Sequence, residues 1–388
     1  MTAPRLVVIG AGPSGLDAAL RGVERGWEVT VLEAHAPGHH QRQWGWVRLF
    51  TPMSMNCSPL AREVLGARAP SPDALLTGEQ YAAQVLAPLA EHLGDRVKAQ
   101  HKVVSVSRRR LLRSELPNHP LRAKRPFELL VETPQGERVF VADGVLDATG
   151  IYATPRWMGR GGAPVPGERA AHVTRHMPNI EAEPDRWRDA RVALVGNGYS
   201  AATTLRALAA LRAEAGGGAV AWLVPDDRAK PVDEVAQDPL PERQAVSAAA
   251  NALATHPPPW LTVHRRAVIH AISDGALDLS VRAGACRVPF DELVSLTGFG
   301  PSPELLSEVA VELDPNFGGG RGLAQALARV TDCLAKVEVS ASDLSSGEPD
   351  LYLVGHRAYG RRNTFLMQSG LEQLDVIFQG WRLTRKEG

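Results

Sequence analysis

The chain has 388 residues, 44% hydrophobic and 22% charged, a balance that supports two to three domains with buried cores and excludes a peptide module or a disordered chain. Lys plus Arg and Asp plus Glu stand at 43 each, so no global positive field holds DNA, RNA or an acidic membrane surface, and a nucleic-acid function would need a local patch. Cys57, Cys286 and Cys333 are odd in number and widely spaced, which excludes a disulfide framework, a CxxC redox pair and a cysteine zinc site and fits a reducing cytosol.

Met1 leads straight toward an apolar strand, without the basic and apolar regions of a signal peptide. No apolar run approaches the ~20 residues of a membrane span, and the expected location is cytoplasmic. Leu6 to Ile9 reads as a buried strand. Gly10-Ala-Gly-Pro-Ser-Gly15 follows, then a helix to about Arg25 and a β-branched strand from Glu28 to Leu32 that ends at Glu33. This is a complete βαβ unit. From Pro70 to Gly94 the pattern predicts a helix, with Leu75, Tyr81, Val85, Leu86 and Leu89 on one apolar face.

Strands are predicted over 103–106, 127–132 and 138–141, the last two joined by a turn at Pro134-Gln-Gly136. Between Arg108 and Arg125 lies a basic stretch that also holds Arg109, Arg110, Arg113, Arg122 and Lys124. It reads as a solvated surface loop; the alternative is an edge that attracts an anionic substrate or cofactor phosphates. Val145 to Gly150 closes the first region, and the Gly- and Pro-rich run after Pro155 marks a crossing between domains. A second βαβ unit opens with a strand from Arg191 to Val195, turns at Gly196-Asn-Gly-Tyr-Ser200 and continues as an Ala/Leu-rich helix to about Glu214. Gly216 to Gly218 stop it before a strand from Ala219 to Val224. A strand pair around Ile269 and Leu277, turning at Asp274-Gly275, leads to Leu293–Gly298. Each half thus opens on a glycine turn and closes on a strand followed by Thr-Gly.

Gly10, Gly12 and Gly15 form a GxGxxG between a strand and a helix. Glycine serves there for the tight turn, for close approach of a pyrophosphate and for helix-on-strand packing. Glu33, about 20 residues on, stands where it can accept both ribose hydroxyls. The second cradle has Gly196 and Gly198, with Ala201 or Ala202 in the third place. Its following strand ends at Val224-Pro-Asp-Asp-Arg228, where the acids favour a free 2′-hydroxyl and Arg228 and Lys230 favour a 2′-phosphate. The expectation is NADPH, with NADH admissible. Two dinucleotide sites in one chain imply electron transfer between two cofactors, and flavin plus nicotinamide is the economical pair.

On these motifs, Val8-Ile-Gly-Ala-Gly-Pro-Ser-Gly15 with Glu33, Asp147-Ala-Thr-Gly150, Val195-Gly-Asn-Gly-Tyr-Ser-Ala201 and Leu296-Thr-Gly298, the chain resembles the two-dinucleotide-binding-domain flavoproteins, and within them the flavin-containing monooxygenases and their bacterial relatives. The resemblance implies an α/β fold of two Rossmann-like dinucleotide-binding domains, the second inserted into the first. Residues 1–155 would be the first part of an FAD domain, 156–298 an NAD(P)H domain and 299–388 the C-terminal part of the FAD domain. It assigns FAD to Gly10, Gly12, Ser14, Gly15, Glu33, Arg48, Gly150, Gly355 and Gly370, and the nicotinamide cofactor to Gly196, Gly198, Ser200 and Arg228. Asn56 takes the place of an asparagine near the flavin and the reacting oxygen, a candidate catalytic hydrogen bond to a peroxyflavin; an ordinary turn asparagine is the alternative. Trp44, Trp46 and Arg48 occupy the stretch that wraps the flavin. Asp350–Gly355 resembles the strand and glycine that approach the ribityl chain, with His356 where the family carries an acid. A helix expected from Ser369 and Gly370 would aim its N-terminus at the flavin pyrimidine ring. The family's F-x-G-x-x-x-H motif is not reproduced, since Gly167 to His172 is one residue longer and lacks the Phe.

The implied activity is an NAD(P)H-using, FAD-dependent monooxygenase that oxygenates nitrogen or sulfur of a small molecule with dioxygen. A flavin dehydrogenase, oxidase or reductase without oxygen transfer, and a nucleotide sensor without turnover, are the alternatives. Arg361 and Arg362 are a candidate anionic substrate pocket or solvated charge. Neither a nucleic-acid nor a membrane partner is expected, and a homodimer is allowed.

Overall fold

The computed structural model describes residues 2–117, 119–330, 334–335 and 337–386; Cys333 lies outside the described residues. In chain order the strands are β1 (Arg5–Ile9), β2 (Glu28–Leu32), β3 (Val97–Lys98), β4 (Lys102–Arg108), β5 (Phe127–Thr133), β6 (Gly136–Ala142), β7 (Gly144–Asp147), β8 (Arg191–Val195), β9 (Ala219–Leu223), β10 (Leu261–His264), β11 (Val268–Ser273), β12 (Ala276–Val281), β13 (Gly284–Pro289), β14 (Glu292–Ser295) and β15 (Leu351–Leu353). The long helices are α1 (Pro13–Glu24), α2 (Tyr199–Ala215), α3 (Pro241–Thr255) and α4 (Met367–Gly380). The chain divides into two compact units, Met1–Thr154 with Gly300–Gly388, and Pro155–Phe299.

The first unit is built on a parallel sheet in the order β15-β7-β1-β2-β3. Four successive residues of β1, Leu6 to Ile9, are buried, as a strand covered on both faces requires. Register sets the site: Ile9 pairs with Leu32 on one side and Asp147 on the other, and Asp147 pairs with Leu353. The segments after four strands therefore emerge at one edge, where open parallel sheets take ligands. α1 and α4 pack through Leu16, Leu20, Leu374 and Phe378, all buried. Trp27 stacks on Phe378 at 5.6 Å and meets Trp381 edge-on at 5.2 Å, worth ~0.5–1.5 kcal/mol per pair beyond area burial. An antiparallel sheet, β4-β5-β6, completes the unit.

The second unit repeats the plan with a parallel sheet, β10-β9-β8-β14, and an antiparallel one, β11-β12-β13. Val195 pairs with Leu223 and with Ser295, so Gly196, the segment after β9 and Leu296–Gly298 share one edge. Asp274 and Gly275 both take positive φ, +47° and +67°, the two-residue turn expected between β11 and β12.

Three local expectations change. Residues 70–77 are not helical, because Leu49 donates to the Leu76 carbonyl and Gly78 to that of Val47, a tertiary pairing that outbids helix propensity. The helix starts at Gly78 behind a Thr77/Gln80 capping box. It widens to a π-turn over Ala82–Leu86 just before Pro88, whose missing N–H cannot close an α-turn. α4 begins at Met367, with Leu366 as its N-cap; Gly370 is its fourth residue and serves packing rather than initiation. The basic stretch is not simply solvated. Arg108 and Arg122 are buried and both clasp Glu348, at 2.8 Å each. α3, which the periodicity did not single out, carried its own signal in Pro241 at the first position and an Ala-rich body.

Candidate functional site

The first cradle lies between β1 and α1. Gly10 takes φ +101°, and a Cβ there would lie 2.8 Å from the Ala148 carbonyl oxygen. At Gly15 a Cβ would land on the Gly10 carbonyl. At Gly12, the N-cap of α1, a Cβ would meet nothing within 4 Å. Two of the glycines are thus required by packing. The third faces open space before the amides of the first turn, which have no intrahelical acceptor. This geometry can hold an anion. Glu33 stands over it, its carboxylate accepting the Ala11 N–H at 2.7 Å and the His35 N–H at 2.9 Å. Each carboxylate oxygen keeps a further lone pair for a hydroxyl.

Ser14, Gly355 and Gly370, far apart in sequence, meet here. A Cβ on Gly355 would lie 2.6 Å from Ser14 Oγ, and one on Gly370 would lie 2.7 Å from it and 3.1 Å from Gly355 Cα. Gln373 of α4, buried, accepts the Gly355 N–H at 2.8 Å. Asp147 accepts from the Thr149 N–H and hydroxyl and from Arg357 Nε at 2.9 Å, a buried pair that ties the end of β7 to the turn after β15. Gly150 has φ +68° and open space at its Cβ position. His356 stacks on Phe365 at 4.6 Å with its Nε2 3.4 Å from the Arg362 carbonyl. Burial pushes its pKa down to about 4, so the imidazole is neutral at pH 7.

Asn56 is buried, its Oδ1 accepting from Thr51 Oγ1 and its Nδ2 donating to the Thr51 carbonyl, both at 2.8 Å. One Nδ2–H remains. Tyr81 donates to the Asn56 carbonyl at 2.7 Å. With Pro13, Cys57, Tyr81 and Leu371, Asn56 lines a small, mostly apolar cavity. Burial pushes the Cys57 thiol up, against the opposing charge of Arg62. Arg48 is exposed and donates to the Leu75 carbonyl at 2.7 Å, while Trp44 packs at Gly78. Arg362 lies over Phe317 at 4.2 Å, a packed position, whereas Arg361 is exposed.

The second cradle repeats the geometry in its own unit. Gly196 has φ +120° and a Cβ there would strike the Leu296 carbonyl; Gly198, the N-cap of α2, has open space. Ala201, fully buried and five residues after Gly196 as Gly15 is after Gly10, takes the third glycine's place. Ser200 sits in the first turn, its carbonyl accepting from Thr204 Oγ1 at 3.0 Å. Trp222 donates to the Gly196 carbonyl at 2.8 Å. Asn197 of the turn donates to Asp226 at 3.2 Å. Arg228 is held by Asp226 at 2.7 Å and by Asp233, hydrogen bonds that raise its pKa further. None of the partners Thr51, Gln373 and Arg357 carried a sequence signal, since each acts by proximity across a loop or up to 210 positions.

Among the described residues no group of His, Cys, Asp and Glu side chains could hold a metal ion, and no helix is long and apolar enough to cross a membrane. Comparison with curated proteins finds no match. Among solved structures, the bacillithiol disulfide reductase Bdr of Bacillus cereus is similar with TM-score 0.70 and 18% identity, over 97% of this chain and 98% of that one. The ornithine N-hydroxylase of Kutzneria has TM-score 0.62 and 16% identity over 97% and 98%. A flavin monooxygenase of Stenotrophomonas maltophilia has TM-score 0.60 and 18% identity over 98% of each chain. At these identities the likeness is one of fold. The family model described as "Pyridine nucleotide-disulphide oxidoreductase" matches residues 4–318. The chain therefore belongs to the pyridine nucleotide-disulphide oxidoreductase family, with its α/β dinucleotide-binding fold, and is a flavin-dependent pyridine-nucleotide oxidoreductase.

Proposed function

We propose that the protein is an FAD-dependent, NADPH-using monooxygenase acting on nitrogen or sulfur of a small molecule. The observation that carries this reading is the state of Cys57, among the described residues the one cysteine of the first unit: buried, unpaired and with a raised pKa. A relay to a disulfide substrate needs a reactive thiolate, which a buried thiol with a raised pKa does not supply, and the sequence holds no CxxC for a dithiol relay. Electrons arriving at this unit are better matched to a diffusible acceptor. Two structural neighbours described as a flavin monooxygenase and an N-hydroxylase support the same choice.

The chemistry that FAD supplies when bound is two-electron transfer from reduced nicotinamide to dioxygen. The chain's share is binding and positioning. The amides at the start of α1, with Gly12 leaving room, would hold the FAD pyrophosphate, Glu33 the adenosine ribose, and Gly150, Gly355 and Gly370 the close approach of the remainder. The remaining Nδ2–H of Asn56, its carboxamide fixed by Thr51, would donate to an acceptor at the reacting centre. Gly196, Gly198 and the amides near Ser200 would take the nicotinamide cofactor's pyrophosphate. The test is stoichiometry: NADPH consumption is measured against hydrogen peroxide and product mass over a panel of amines and thioethers. One product oxygen per NADPH is expected for some member. Full recovery as peroxide throughout would leave an oxidase, and NADPH-dependent reduction of a low-molecular-weight disulfide would leave a reductase.

Arg228 is the residue proposed for the 2′-phosphate, its guanidinium already aimed by Asp226 and Asp233. Arg228→Gln should raise the NADPH Michaelis constant roughly tenfold to a hundredfold, the size of one charge-assisted hydrogen bond, and leave that for NADH nearly unchanged. Equal losses with both coenzymes would assign Arg228 to loop structure alone.

A further inference from the structure

All five large apolar side chains that stand exposed among the described residues, Val104, Leu112, Leu116, Leu121 and Val139, fall on the β4-β5-β6 sheet or on the segment joining β4 to β5. Three of them, Leu112 at 64%, Leu116 at 39% and Leu121 at 44% exposure, lie on that segment. They share one fastening. The buried guanidinium of Arg122 donates from Nη1 to the Leu112 carbonyl at 3.2 Å and to the Glu115 carbonyl at 2.6 Å. Its Nη2 meets Glu348 at 2.8 Å. One fixed group thus gathers the backbone of Leu112, the neighbour of Leu116 and the neighbour of Leu121. Leu116 is held at φ +50°, a conformation a leucine adopts only when its surroundings impose it. These leucines are mounted outward on an anchored platform.

The charges of the segment are predominantly positive. Residues 109–125 carry six cations and one acid, Glu115. Arg122 is matched by Glu348 and Arg109 by Glu128, which leaves Arg110, Arg113, Lys124 and Arg125 against Glu115. The overall charge of +0 conceals this local excess. The segment has no aromatic residue, whereas protein-binding surfaces concentrate aromatics in a shaped core. Aliphatic side chains ringed by cations suit a fluid anionic surface, where leucines enter the interface and cations meet head groups without shape complementarity.

We propose that the described residues 109–117 and 119–125 dock the protein peripherally on an anionic lipid bilayer. The test uses the full-length holoprotein and co-sedimentation with unilamellar vesicles, either of phosphatidylcholine alone or of equal parts phosphatidylglycerol and phosphatidylcholine. Binding is expected to the anionic vesicles only. The triple variant Arg110→Gln, Lys124→Gln and Arg125→Gln should lower partitioning by roughly 100-fold or more. The double variant Leu112→Ser and Leu121→Ser should weaken it while leaving part of the salt-sensitive attraction. Both sets lie on exposed positions, so flavin content and melting temperature are the folding controls and should match wild type. Absence of wild-type binding to anionic vesicles, equal binding by the variants, or saturable binding of an acidic protein with none to vesicles would each overturn the proposal.

Discussion

Gly12→Ala should give a protein that folds with a wild-type melting profile but purifies nearly colourless. The added methyl meets no protein atom within 4 Å, so the fold has nothing to resist. It occupies the space in front of the α1 amides that a pyrophosphate needs, and loss of close charge-assisted contacts of ~3 kcal/mol lowers FAD affinity by roughly 100-fold. Flavin absorbance of the purified variant and titration of the apoprotein with FAD give the readout. Gly15→Ala is the contrasting control: its methyl would collide with the Gly10 carbonyl, and it should fail at folding, before any question of ligand. A yellow Gly12→Ala protein with unchanged affinity would remove the first cradle as the flavin site.

Glu348→Gln should destabilise the first unit by ~3–5 kcal/mol, the cost of stranding buried charge. Glu348 is buried and accepts from Arg108 Nε, Arg122 Nη2 and the Ala310 N–H, each at 2.8 Å. Arg108 also lies over the Phe127 ring at 3.6 Å. The neutral amide would remove the carboxylate that both buried guanidinium groups hydrogen-bond. Calorimetry should show the melting transition lowered by about 10 °C; an unchanged transition would mean the cluster is relaxed by solvent. The pH dependence follows the same group. Burial acts to raise the Glu348 pKa, but the hydrogen bonds from Arg122 and Ala310 and the charge of Arg108 outweigh it, and the pKa is lowered. The folded state therefore holds its proton less tightly than the unfolded chain. The stabilisation is complete above the ordinary glutamate value of about 4.3 and is lost as pH falls through the lowered one. Wild-type protein should lose stability over that acid range, and Glu348→Gln should lack that part of the dependence.

Local pattern made much of this architecture legible. β1, α1 and β2, and their counterparts β8, α2 and β9, are each encoded by a buried apolar run, a glycine turn and an amphipathic or Ala-rich helix. Those signals act within windows of fewer than about twenty residues, the range over which propensity and periodicity operate. The Asp274-Gly275 turn was legible for the same reason. Residues 70–77 were not, because the carbonyls of Leu76, Ala74 and Pro72 accept from Leu49, Met53 and Ser54 and no periodicity within the segment records that choice. Arg108 and Arg122 looked like surface charge because the acid that buries them, Glu348, stands 240 and 226 positions away.

The sequence by itself determined two glycine cradles, the acid after the first, the mixed charges after the second and the lack of a dithiol pair, because each depends on residue type at short spacing. Only the tertiary structure decided that Ser14, Gly355 and Gly370 meet, that Gln373 claims the Gly355 amide, that Asn56 is locked by Thr51 and that Asp226 and Asp233 aim Arg228. Parallel strand pairing brings the ends of distant segments to one edge, and the close contacts made there depend on shape and distance, which composition and periodicity do not carry.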